Sequence, residues 1–122
     1  MVEYYGPSAL AVEELNEFFG FPATGKEQDW EIEFANPERL QEFIDVLFRR
    51  QFQGDQQDAL AALVIATLDE ACTENKANQD QKKMLKTFFR ENEILRQKMQ
   101  CLYFCFGRSP INENVIGSIL NP

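Results

Sequence analysis

Apolar positions recur along most of this chain at intervals of three and four, the spacing that lays a single stripe along an α-helix. Residues 8–20 set the pattern: Ser8 stands where a helix cap belongs, Leu15, Phe18 and Phe19 fall on one side, and Gly20 marks the stop. After a turn-rich loop holding Pro22 and Gly25, the period changes. Asp29-Trp30-Glu31-Ile32-Glu33-Phe34 alternates acidic and apolar residues, which predicts a short extended segment with its carboxylates on a wet face and its large apolar side chains on a dry one. An isolated strand needs a partner, and no second strand is legible. The segment is therefore expected to lie along the helices or to form half of a small hairpin.

The helical period then returns. Asn36-Pro37-Glu38 is a strong start, a capping side chain followed by proline at the first helical position. Leu40, Phe43, Ile44, Leu47 and Phe48 form the stripe of this second helix, expected to end near Gly54. A third helix, residues 56–74, is apolar or small on every side between Ala59 and Ala66, the signature of a helix surrounded by others. A fourth pattern runs from Asp80 through Met84, Leu85, Phe88, Phe89, Ile94, Leu95, Met99, Leu102 and Phe106. As one rod, residues 80–105 would span about 39 Å, longer than a domain of this size is wide, so a break is expected near Asn92. Gly107 and Pro110 make the next stop, and residues 111–120 a short closing helix built on Val115, Ile116, Ile119 and Leu120.

The expected architecture is all-α: one domain over residues 1–122, a compact bundle of four or five helices with one short extended segment near residues 29–34. Composition agrees. Of the 122 residues, 44% are aliphatic or aromatic, with eleven Phe, enough apolar surface to offset chain entropy. Residues 1–20 lack the basic start and unbroken apolar run of a signal peptide, and no stretch elsewhere is long enough to span a bilayer, so a cytoplasmic location is expected.

Charge narrows the function. The chain has 20 acidic and 12 basic residues and no histidine, so no catalytic triad, His-bearing metalloprotease helix or imidazole proton shuttle is available. A net charge of −8 disfavours nucleic acid and anionic membrane and favours a basic partner. The charge is also lopsided: residues 1–48 hold eleven acids against Lys26 and Arg39, whereas residues 49–122 hold nine acids and ten bases. Lys76, Lys82, Lys83, Lys86, Arg90, Arg96 and Lys98 make the fourth helix region basic, and it is a candidate to neutralise the acidic half from within the chain.

The candidate partner-binding residues are Glu27, Asp29, Glu31 and Glu33 with Trp30 among them, where alternation would gather carboxylates into a landing site for Lys and Arg. The same alternation also suits solvating charges whose Trp30, Ile32 and Phe34 are core. Tyr4, Tyr5 and Tyr103 are further aromatic residues with a polar tip, of the kind that anchors a partner or caps a core. Cys101 and Cys105 stand one helical turn apart, with Cys72 on another helix; three thiols fall short of the four ligands of a structural zinc site and read as small hydrophobes in a reducing compartment. A cysteine nucleophile near Lys98 and Arg108 lacks an imidazole base. The isolated glycines make no phosphate loop, so no nucleotide cofactor is expected, and no catalytic residue or metal ligand is assigned.

The function expected from these residues is that of a non-enzymatic acidic domain engaging a basic protein surface, in the manner of an inhibitor. In size and charge the chain resembles small acidic bacterial immunity proteins, a likeness that covers no motif and carries over no residue. Two alternatives stand beside it. One is a structural, homo-oligomeric helical module paired through the long fourth helix. The other is a carboxylate-dependent metal-binding or hydrolytic protein, for which Asp69-Glu70 on the central helix is the acidic pair available.

Overall fold

The computed structural model of the chain describes residues 2–105 and 110–121. Within them lie seven α-helices and no strand: α1 (Ala9–Phe19), α2 (Trp30–Glu33), α3 (Leu40–Phe48), α4 (Gly54–Thr73), α5 (Gln79–Glu91), α6 (Glu93–Gln100) and α7 (Glu113–Leu120). A 3₁₀ turn (Pro37–Arg39) leads into α3, and a π-helical turn (Cys101–Cys105) continues α6. The all-helical expectation stands. The count of four or five does not, for two physical reasons: the extended segment closes into a helical turn, and the fourth helix divides in two.

Helix ends fall where local chemistry places them. The Ser8 hydroxyl accepts the Ala11 N–H, and Gly20 leaves α1 at φ +70°, a left-handed conformation that costs glycine little. Asn36 accepts the Glu38 N–H at the start of the 3₁₀ turn. α4 closes through Asn75 at φ +57°, and the Lys76 N–H reaches back to the Ala71 carbonyl at 2.8 Å. α5 opens on a reciprocal cap in which Asn78 accepts the Gln81 N–H and the Gln81 side chain accepts the Asn78 N–H. The expected break at Asn92 is present. Its side-chain amide donates to the Phe88 carbonyl at 2.6 Å, occupying the acceptor that a continuing backbone would have used, and the Arg50 guanidinium donates to its oxygen at 3.1 Å.

α4 is the centre of the molecule, buried without interruption from Asp58 to Leu68, about three turns on all sides. α1, α2, α3, α6 and α7 all pack against it, and α5 joins through α3, α6 and α7. Its small residues admit close neighbours: the Tyr103 hydroxyl, fully buried, donates to the Ala62 carbonyl at 2.7 Å. Burial among apolar groups drives that phenol's pKa upward. Asp58 is 6% exposed and holds the Lys98 ammonium at 2.8 Å, tying α4 to α6. Asp69 is also structural, since its carboxylate accepts the N–H groups of Ile111 and Asn112 at 2.8 and 2.7 Å and fixes the approach to α7.

Residues 29–34 correct the extended expectation. The Asp29 carbonyl accepts N–H groups from Ile32 and Glu33, both at 2.9 Å, and Phe34 N–H donates to the Trp30 carbonyl at 3.0 Å. A helical turn satisfies its own backbone where a single strand leaves donors and acceptors open. The exposures follow the helix: Trp30 is 3% and Glu31 0% exposed, whereas Ile32 is 49% exposed. The four carboxylates therefore do not share one wet face. Phe106 at the end of the fourth pattern, Gly107 of the stop that follows it and Arg108, named beside the cysteines, lie outside the described residues. Among the described residues no helix is long and apolar enough to cross a membrane.

Candidate functional site

A cleft of about 920 Å³ opens between α1 and the segment from Phe21 to Glu31, and its lining carries Glu13, Glu17, Glu27 and Glu31. α1 supplies one wall because Glu13 and Glu17 are four residues apart and so stand one above the other on the helix. The opposite wall is aromatic. Trp30 packs against Phe21 and Phe34, whose rings stack at 4.8 Å, and the Trp30 indole N–H donates to Asn16 Oδ1 at 2.6 Å. That bond ties α2 to α1 across the floor of the cleft.

Glu27 shapes the connecting loop. Its carboxylate accepts the Thr24 hydroxyl at 2.6 Å, the Thr24 N–H at 2.9 Å and the Gly25 N–H at 3.2 Å, in a turn where Gly25 adopts φ +84°. These donors, the Thr24 hydroxyl first, favour the charged form and pull the Glu27 pKa below the usual carboxylate range. Behind the aromatic wall, Arg39 stands over the rings of Phe19, Phe21 and Phe43 at 5.2 to 5.6 Å and forms a bidentate pair with Glu42. The pairing raises the pKa of Arg39 and lowers that of Glu42. One of the two cations in residues 1–48 is thereby committed away from the cleft.

Of the residues singled out from the sequence, the cleft brings together Glu27, Trp30 and Glu31 and leaves Asp29 and Glu33 outside its lining. Glu13 and Glu17 were missed, although their spacing of four on a helix was legible. Internal neutralisation is partial. Lys76 pairs with Glu38 and Glu74, Arg96 with Glu93, and Lys98 with Asp58, while Lys82, Lys83, Lys86 and Arg90 form no ion pair among the described residues. Among the described lining residues there is no lysine or arginine.

Chemically, the cleft presents carboxylate acceptors beside a largely buried aromatic wall, and the carboxylates are the groups that can receive an ammonium or guanidinium group. Tyr5, largely exposed, is among its lining residues and donates to Glu3 at 2.8 Å, and that hydrogen bond to a carboxylate raises its pKa. Trp30 and Tyr103 are core residues first, and the Tyr4 N–H approaches Cys101 Sγ at 3.3 Å. Cys72 and Cys101 are free thiols; the Cys105 side chain is outside what is described. Burial pushes the Cys72 thiol upward, away from thiolate chemistry. Among the described residues no three Cys, Asp or Glu side chains gather as a metal site. Comparison of the chain with protein-family models, with curated proteins and with solved structures finds no match.

Proposed function

We propose that this protein is a non-enzymatic binding domain whose α1–α2 cleft receives lysine or arginine side chains of a basic protein partner. The observation that carries the reading is the lining itself: the solvent-reaching carboxylates of Glu13, Glu17 and Glu27 beside a buried tryptophan, with no cation among the described lining residues. Carboxylates brought to one concavity repel one another, and a cation entering it relieves that repulsion while gaining charge-assisted hydrogen bonds. The partly walled cleft strengthens these contacts over those on open surface.

The test is titration with a labelled octa-arginine peptide at low and at high salt. Glu13, Glu17 and Glu27 are changed together to Gln in one variant; Glu70, Glu91 and Glu113, exposed elsewhere, are changed to Gln in a control of equal net charge. The cleft variant is expected to lose affinity at least about tenfold, the scale of one or two charge-assisted contacts, and the control to stay near the parent. Equal losses in the two variants would reduce the interaction to net charge and overturn the reading.

A further inference from the structure

A second charged surface lies on α5. Lys82, Lys83 and Lys86 line a groove of about 530 Å³ between α5 and α7, together with Asn114, Ser118 and one acid, Asp80. None of the three lysines forms an ion pair among the described residues, and the acids that the chain pairs internally belong to Lys76, Arg96, Lys98 and Arg39 instead. α5 packs on α3, α6 and α7, whereas α1 and α2 pack on α4, so the acidic and basic surfaces are not closed against each other within one molecule. The chain is bipolar. At physiological ionic strength charge is felt over about 8 Å, so a local lysine groove acts as a basic surface despite the net charge of −8.

We propose that the α5–α7 lysine groove docks into the α1–α2 cleft of a second copy of this chain, giving head-to-tail association. Charge complementarity selects this occupant: the described lining of the cleft holds no lysine or arginine, the groove holds three lysines, and both are present at equal concentration in any solution of the protein. Either surface meeting its own copy would set like charges against each other, so each contact pairs an acidic surface with a basic one. A basic partner and a second copy then compete for one cleft, and partner binding releases the self-associated form. The inference rests on the reading of the cleft as a receptor for cations.

Sedimentation at low and high salt tests it, with two folded variants verified by circular dichroism: Glu13→Gln with Glu17→Gln, and Lys82→Gln with Lys83→Gln and Lys86→Gln. The parent is expected to gain mass with concentration at low salt and to return to monomer at high salt. Each variant alone is expected to be monomeric, and their equimolar mixture to form a one-to-one dimer, because one supplies an intact groove and the other an intact cleft. A parent that stays monomeric at low salt, variants that associate as the parent does, or a mixture that stays monomeric overturns the proposal. Octa-arginine binding by the parent separates the two readings: if the parent binds the peptide yet stays monomeric at low salt, only the self-association falls.

Discussion

The acidic and basic faces of this molecule differ in what stands behind their charges. The cleft is built: its glutamates come from α1, a hydrogen-bonded loop and α2, its wall is a cluster of aromatic rings, and an indole bond to Asn16 fixes the two sides. The α5 face is a run of lysines on one helix, half-buried or exposed beside a smaller groove. Charge on a scaffolded concavity defines where a ligand sits, whereas charge on an open helix face mainly defines its sign.

Four substitutions or conditions bear on that contrast in descending order of effect. Leu63→Ala cuts a cavity in α4, which supports both faces, and should cost about 2 to 5 kcal/mol in a denaturant titration and weaken both surfaces together. Asp58→Ala leaves Lys98 without its partner between α4 and α6, and should cost about 2 kcal/mol, with octa-arginine affinity of the folded protein preserved. Trp30→Phe keeps an aromatic wall and removes the bond to Asn16. It should cost about 1 kcal/mol and loosen the acidic face alone, seen as faster amide exchange in α2 with α5 unchanged.

The smallest effect is set by pH. The Glu27 pKa is lowered in the folded protein, so its hold on the 24–27 turn is complete above the usual carboxylate range and is lost as pH falls through its own lower value. The Thr24 and Gly25 amide resonances should therefore shift only in acid, below the point where an ordinary glutamate titrates. A shift in the ordinary range would remove the loop's role in shaping the cleft.

Much of this contrast was legible in the sequence. Ser8 and Gly20 bracket α1, Asn36-Pro37 opens the route into α3, and the all-round apolar stretch of α4 foretells its central position. The break at Asn92 followed from length alone. Residues 29–34 misled because Trp30 and Phe34 are compatible with both periods: they share a strand face at a spacing of four and also one face of a helix. Only Ile32 and Glu31 separate the two, and their exposures are set by the packing of α2 on α4, which local patterning does not contain. Glu13 and Glu17 join the cleft across a loop. Their common helix face was readable, but what lies opposite depends on the fold. The lopsided charge was visible; that the lysines of α5 leave the cleft uncovered required the helix arrangement.

Trp30 is the chain's single tryptophan and forms the buried wall of the cleft, so its emission senses a change in charge there. Titration with unlabelled octa-arginine should produce a saturable, salt-sensitive change in Trp30 fluorescence that disappears when Glu13, Glu17 and Glu27 are changed to Gln. Binding of the peptide with Trp30 emission unmoved, or moved equally in that variant, would contradict the assignment of the cleft.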